Sequence, residues 1–469
     1  MVDSQQTERY YQDNPAARYL VLIVVCISSF LTPVSLSGSF VAVPAISEDL
    51  HVSAVYASWI PAAFLLSNLL MMLPAGRLAD QHGRKRIFLI GGVLFSIGSL
   101  IAGFAQTIEL LLFSRVIQGI SSAMFFTTGM AIITSVFQQG RGAALGWLVA
   151  SIYLGLTCGP LLGGWVTEQF GWQAVFWFPL PLAIIVLMLA GLTMKGEWRS
   201  AQADRLDLVG TLYMAIGMIG VFVGLSMLPD LKATIGLVIG AVFIGIFIHH
   251  CYTVPSPLVR LNLVLGNRPF SRALAASIMV YASNYGLIFL LSLYLQYNRG
   301  MTPTTAGQVL MVQAIVMTLL APLAGRLSDR YRPRLLATLG CLAMVAGLAL
   351  LVVTVGPATP IWIILLCLMA FGVGFGLFST PNTNSVLGSV PPERLGMSSA
   401  LLNLSRLLGQ MLGTAVITLL MSLMIGQAKI TPEHYTDLME VVRWAVGLSL
   451  IFALAATYFS KERPLAVSV

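Results

Sequence analysis

Charge is what this chain has least of. Asp, Glu, Lys and Arg make up 9% of its 469 residues, against about 25% in soluble domains. Hydrophobic residues make up 57%, and mean hydropathy is +0.87. A water-soluble fold of this length could not hide so much apolar surface, so the composition excludes one. Cysteine is also scarce: Cys26, Cys158, Cys251, Cys341 and Cys367 lie in or beside apolar runs, with no paired spacing. That argues against a disulfide framework or a thiolate metal site and for apolar packing residues. A Gly-x-x-x-x-Gly-Lys-Ser/Thr loop is absent, which disfavours ATP hydrolysis. No cluster of His, Asp or Cys falls at one membrane depth, so no enzyme, metal or cofactor is expected. The net charge of +8 could suggest nucleic acid, but the basic residues sit in short loops between apolar runs, which excludes that partner and makes them a topology signal.

What the chain does have is long apolar runs. A helix needs ~20 apolar residues to cross a bilayer, and such runs predict an all-α polytopic membrane protein of about fourteen spans. The first, from about Tyr19 to Val43, is too long for a signal peptide and is read as an uncleaved helix. With the N-terminus in the cytoplasm, only Lys232, Arg299, Lys429 and Arg443 fall outside, and Arg115 and Arg406 fall within spans. Every other Lys and Arg is then cytoplasmic. One missed span would reverse all later loops, so this bias supports the count and places both termini inside.

Two loops nearly repeat each other. Gly76-Arg77-Leu78-Ala79-Asp80-Gln81-His82-Gly83-Arg84-Lys85-Arg86 and Gly325-Arg326-Leu327-Ser328-Asp329-Arg330-Tyr331-Arg332-Pro333-Arg334 each join two apolar runs. A long-period repeat indicates two related halves. Six spans with short loops take roughly 200 residues, and the interval from Gly76 to Gly325 is longer. The excess fits two helices inserted near 208–228 and 233–252.

The first loop resembles motif A of the major facilitator superfamily at Gly76, Asp80, Gly83, Arg84 and Lys85. The second is a partial copy, with Asp329 but with Tyr331-Arg332-Pro333 where a second glycine would stand. Arg115-Val116-Ile117-Gln118-Gly119 resembles motif B. Gly155-Leu156-Thr157-Cys158-Gly159-Pro160-Leu161-Leu162-Gly163-Gly164 resembles motif C, the antiporter signature of exporters. Asn403-Leu404-Ser405-Arg406-Leu407-Leu408-Gly409-Gln410 resembles a segment of the fourteen-helix drug:proton antiporter branch. The resemblance implies a major facilitator fold: an N-terminal six-helix bundle over 1–200, two inserted helices over 201–262 and a C-terminal six-helix bundle over 263–469. It also implies a conformational latch at Gly76, Asp80, Gly83, Arg84, Lys85 and Asp329. The activity it implies is export of amphipathic toxic compounds, driven by protons, across a bacterial inner membrane.

The chain departs from that branch in one respect. Alignment on Pro44 places Ser35 where the branch usually carries an acidic residue in the first span. No Asp or Glu falls mid-membrane anywhere. A proton-coupled exporter of cations normally holds either its proton or its cation on a buried carboxylate. The deep ionisable groups are instead Arg115 and Arg406, and arginine keeps its charge. This predicts a substrate that is neutral or anionic. Candidates for the substrate and proton path are Ser35, Arg115, Gln118, Asn284, Gln313, Asn403, Arg406 and Gln410, with Glu168 at the outer mouth. Intramembrane polar groups serve equally as links between helices. Asn68, Tyr281, Tyr285, Asn382 and Asn384 belong to the same set, while Trp59, Trp147, Phe125 and Phe126 could stack on substrate. The histidines, His51, His82, His249, His250 and His434, read as interfacial residues. The expected partners are a small amphipathic substrate, protons and the lipid bilayer. An uncoupled facilitator or lipid flippase of the same fold is the alternative, favoured by the missing carboxylate. A non-transporting sensor is weaker, since the sequence shows no large polar output domain.

Overall fold

The computed structural model describes residues 10–137, 141–199, 206–390, 395–426 and 428–461. Among them 14 helices are long and apolar enough to cross a membrane. We number them α1 (Pro15–Asp49), α2 (Ala54–His82), α3 (Arg84–Gly103), α4 (Ile108–Val136), α5 (Ala143–Phe170), α6 (Trp172–Thr193), α7 (Leu208–Ser226), α8 (Leu231–Thr253), α9 (Arg268–Asn298), α10 (Pro303–Ser328), α11 (Pro333–Thr354), α12 (Ile361–Leu387), α13 (Met397–Met424) and α14 (Pro432–Ser460). No strand occurs among the described residues.

Helices form because hydrocarbon offers backbone groups no other partner. Their ends are set by capping side chains. Ser53 accepts from Tyr56 N at the start of α2, Thr107 from Leu110 N before α4, and Asp207 from Gly210 N before α7. The outer surface is apolar, as the core is, and small polar side chains are buried between helices. Leu192, Leu319, Val353 and Trp444 are exposed, while Ser28, Ser39, Ser121 and Thr128 are buried. Buried hydroxyls satisfy themselves on the preceding turn, as Ser39 does on Leu36 O and Thr128 on Met124 O.

The chain divides into two compact units. One comprises Met1–Arg260, Ser292–Met311 and Thr418–Leu438, and the other Leu261–Leu291, Val312–Ile417 and Met439–Val469. In the first, α1 packs along α5, α2 along α4, α3 along α4 and α7 along α8. In the second, α11 packs along α12, and Gly340 and Gly374 let their backbones meet. Proline kinks leave carbonyls free within these helices. Pro44 has no N–H to give Phe40 O, which instead accepts from Ser292 Oγ at 3.1 Å in the first unit.

The α7–α8 hairpin is zipped by Gly217, Gly220, Gly224 and Gly240 and touches α2 through Phe222 on Trp59, 5.9 Å between rings. Its open end is tied by Asp207, which accepts from His250 Nε2 at 3.0 Å and from Leu258 N at 3.3 Å. Burial pushes the Asp207 carboxyl up. The Gly210 N–H, His250 and the Leu258 N–H more than offset this and hold it below its ordinary value. The chain after α6 is pinned by Tyr11. Its hydroxyl accepts from Lys195 N at 2.7 Å, and its ring stacks on Trp198 at 5.6 Å. Burial pushes the Tyr11 phenol up to about 12.

Candidate functional site

The deepest charge in the first unit is Arg115 on α4, with no exposed surface. Its guanidinium is held from three helices. Nη1 donates to Gln118 Oε1 at 2.7 Å and to Ser35 Oγ on α1 at 3.5 Å. Nη2 donates to Ser39 Oγ at 3.2 Å, and Nε to Ile60 O on α2 at 3.3 Å. Phe64 and Phe176 lie 4.8 and 5.6 Å from the guanidinium carbon, close enough for cation–π attraction. Gln118 is oriented in turn by its donation to Ser99 Oγ at 3.1 Å. Helical spacing explains the grouping: Ser35 and Ser39 are one turn apart on α1, and Arg115 and Gln118 one turn apart on α4. Among the described residues no carboxylate enters this cluster. Ser35, where an acid was expected by family pattern, is in direct contact with the arginine that such an acid would neutralise. Ile60 O, Phe64, Phe176 and Ser99 were not foreseen, because a backbone carbonyl or a core ring gives no signal in sequence.

The second unit holds a looser cluster. Arg406 on α13 donates to Thr383 Oγ1 at 2.7 Å and to Asn403 Oδ1 at 3.2 Å, with its guanidinium 5.8 Å from the Tyr281 ring. Tyr281 stacks on Tyr285 at 6.2 Å and meets Phe375 edge-on at 4.9 Å. Arg406 Nε, Asn284 Nδ2 and Gln313 Oε1 are buried without a hydrogen-bond partner. Gln410 is buried one turn from Arg406. Asn382 donates to Ser277 Oγ and Asn384 to Ser328 Oγ, so these two link helices. Asn68 does the same with Ser122 Oγ in the first unit. Phe125 packs in the core against Phe88 and Phe95, and Trp147 is 66% exposed on α5.

The loop between α2 and α3 is built around Gly83, with φ of +111°. A side chain there would be strained, and a Cβ would strike Glu197. Arg84 donates to Asp80 Oδ1 at 3.1 and 3.3 Å, to Ser135 Oγ at 2.8 Å and to Ala131 O at 3.2 Å, fastening the loop to α4. Glu197 accepts from Lys85 N at 2.8 Å and Arg86 N at 3.3 Å. It thus neutralises the positive end of α3. The Lys85 ammonium donates to Gly191 O and Met194 O. Asp80 thus accepts from a neighbouring basic group, and the carboxylate at the start of α3 is that of Glu197. Apart from its own turn of helix, no described atom lies within 4 Å of a Cβ built on Gly76. The side chain of Asp329 lies outside the described residues.

The glycine run of α5 brings backbones together. A Cβ on Gly163 would lie 2.5 Å from Gly38 Cα, and one on Gly155 2.6 Å from Phe30 O. Gly159 faces Ser37 on the same α1 surface. On the other side Gly164 meets Pro303 O and Pro160 O meets Gly307, at the first turns of α10 within the same unit. Glu168 Oε2 accepts from Thr304 N at 3.2 Å beside this contact. Among the described histidines, His250 meets a carboxylate, that of Asp207, with its Nε2 at 3.0 Å. Among the described residues no group of His, Cys, Asp and Glu is arranged to hold a metal ion.

Comparison with known proteins agrees with this geometry. The model of the Major Facilitator Superfamily matches residues 25–414. The chain is 29% identical to the riboflavin transporter RibZ of Clostridioides difficile, over 85% of this chain and 87% of that protein. It is 29% identical to the multidrug resistance protein Stp of Mycobacterium tuberculosis, over 80% and 71%. It is 28% identical to the tetracenomycin C resistance and export protein of Streptomyces glaucescens, over 86% and 76%. Among solved structures, a peptide transporter POT in complex with sulfate superposes with a TM-score of 0.67 at 17% identity, covering 93% of each chain. A bacterial homologue of the lysosomal transporter Spinster superposes with a TM-score of 0.66 at 17% identity, covering 95% of this chain and 97% of that one. With its fourteen spans, its paired loops and its glycine-rich fifth helix, the chain belongs to the major facilitator superfamily of membrane transporters.

Proposed function

We propose that this transporter exports small amphipathic compounds, neutral or anionic, across a bacterial inner membrane by alternating access in exchange for protons. The observation that carries the substrate class is the contact of Ser35 with the buried Arg115 guanidinium, in a cluster with no carboxylate. A fixed positive charge in low dielectric repels an approaching cation and attracts an anion. Arg406, beside the stacked Tyr281 and Tyr285, adds a second cation of the same kind. Export is supported by the close-packed Gly155, Gly159, Pro160, Gly163 and Gly164 of α5 and by likeness to proteins named for resistance and export.

In this reading both termini are cytoplasmic. The bundles span 1–200 and 263–469, with 201–262 inserted between them, and they rock about a midplane site. Gly76, Asp80, Gly83, Arg84, Lys85 and Asp329 form the cytoplasmic latch. Arg115, Gln118, Ser35, Asn284, Gln313, Asn403, Arg406 and Gln410 border the path, and Glu168 stands at the outer mouth. The second reading, an uncoupled facilitator or lipid flippase, is favoured by the same serine, because no intramembrane carboxylate is there to carry the proton.

The test is reconstitution in liposomes with a trapped pH dye and a panel of cationic, neutral and anionic amphiphiles of matched size. Substrate-dependent proton movement with neutral or anionic compounds supports the proposal. High-affinity export of cations overturns the substrate class, and flux without proton movement moves the protein to the second reading.

A further inference from the structure

A cavity of 530 Å³ opens on the first unit, and no residue of the Arg115 cluster lines it. Its lining includes Lys85, Arg86, Ile90, Val93, Leu94 and Glu197. These residues come from the first three turns of α3 and from the chain that follows α6. The lining is graded along the helix. At one end Arg86 is exposed, with no hydrogen bond or ion pair from its side chain among the described residues. At the other, Ile90 and Val93 are 41% and 47% exposed on a helix that spans the membrane. At a rise of 1.5 Å per residue, Val93 stands roughly 10 Å along the axis from Arg86. A cation at one end and apolar surface at the other match a phospholipid headgroup and its acyl chain.

The other charges at the mouth are already engaged. Glu197 spends its carboxylate on Lys85 N, Arg86 N and Trp198 N. The Lys85 ammonium is held by Gly191 O and Met194 O. The three charges sum to one positive, and the guanidinium of Arg86 is the group left to meet a ligand. A guanidinium pairs with phosphate through parallel N–H bonds, and basic residues at membrane boundaries attract anionic lipid.

We propose that this groove is a binding site for one anionic phospholipid. Its phosphate rests on Arg86 and one acyl chain lies along Ile90, Val93 and Leu94. The site abuts the α2–α3 loop. The bound lipid therefore shares Lys85 and Glu197 with the segment that fastens Gly83 and Arg84, and it couples bilayer composition to that loop.

The experiment is native mass spectrometry of the full-length protein, delipidated and then titrated with phosphatidylglycerol or phosphatidylcholine of identical acyl chains. Both headgroups carry the phosphate, but the choline of phosphatidylcholine sets a second cation beside Arg86 and Lys85, a like-charge contact worth on the order of tenfold in affinity. The wild-type protein should therefore retain one phosphatidylglycerol on the order of tenfold better than phosphatidylcholine. Arg86→Gln should abolish the preference, and Arg86→Lys should keep most of it. Val93→Trp, which fills the groove, should lower retention of both lipids. Inorganic phosphate should not compete. Equal retention of the two lipids, or a preference that survives Arg86→Gln in a monodisperse protein, overturns the proposal. Competition by inorganic phosphate overturns it too, by reducing the site to one for small anions. Arg86 is exposed, so its variants should fold, and Val93→Trp tests the groove independently.

Discussion

Ser35→Asp is the sharpest perturbation of the electrostatic reading. The serine hydroxyl stands 3.5 Å from Arg115 Nη1, so a carboxylate there pairs with the guanidinium and takes the cluster from one positive charge to none. Stability should change little, because the attraction gained is offset by several kcal/mol of desolvation for the new ion. Substrate preference should change more. A unit charge ~10 Å away through an effective dielectric of ~20 contributes about 1.7 kcal/mol, slightly more than tenfold in affinity. For a matched pair of anionic and cationic substrates the effects have opposite sign, so the ratio of their affinities should swing by on the order of a hundredfold. The assay is competition for transport in proteoliposomes at fixed ionic strength. If Ser35→Asp is folded and active with the anion-to-cation ratio unchanged, Arg115 does not set the charge of the path and the reasoning is wrong.

Other outcomes follow from the packing and the caps. Gly163→Leu should block assembly of α1 on α5, since overpacking of a tight contact costs typically 1–3 kcal/mol and here the neighbour is the Gly38 backbone; yield of monodisperse protein after purification reports it. Glu197→Ala removes the carboxylate that caps α3 and should cost about 1 kcal/mol, read as a lowered thermal midpoint, whereas Glu197→Gln should lose less. Trp147→Ala should leave transport unchanged, because the ring is exposed on α5; a loss of transport would place substrate on that face. For Asp207 the sign is fixed by its depressed folded-state value. Its stabilisation is complete above the unfolded value near 3.9 and is lost as pH falls through the lower folded value. Asp207→Asn should therefore flatten the acid limb of a thermal-midpoint curve, below about pH 4; an acid limb unchanged by the substitution would contradict it.

Much of the fold is legible in the sequence because the bilayer simplifies the code. Runs of ~20 apolar residues can only be helices. The ends are less legible. The first run reads as Tyr19 to Val43, yet α1 continues from Pro15 to Asp49, since polar residues at both ends extend a helix beyond its apolar stretch. The sixth span contains a break at Phe178 and Pro179 that hydropathy does not register. Of the candidate residues, Arg115, Gln118 and Ser35, singled out separately by the family resemblance, are joined by hydrogen bonds. Their partners Ile60 O, Phe64 and Phe176 are set by tertiary packing and carry no local mark. Glu197 is the instructive omission. It looks like one more loop acid, and only the return of the chain after α6 brings it onto the start of α3, where Gly83 leaves room for it.

The account rests most directly on coupling, and the current carried by the protein in a solid-supported membrane measures it. With a neutral substrate and an imposed pH gradient, exchange for protons predicts a transient current that depends on substrate and reverses when the gradient is reversed. Substrate flux with no current at either polarity would contradict proton exchange, and the serine at position 35 would then mark a facilitator.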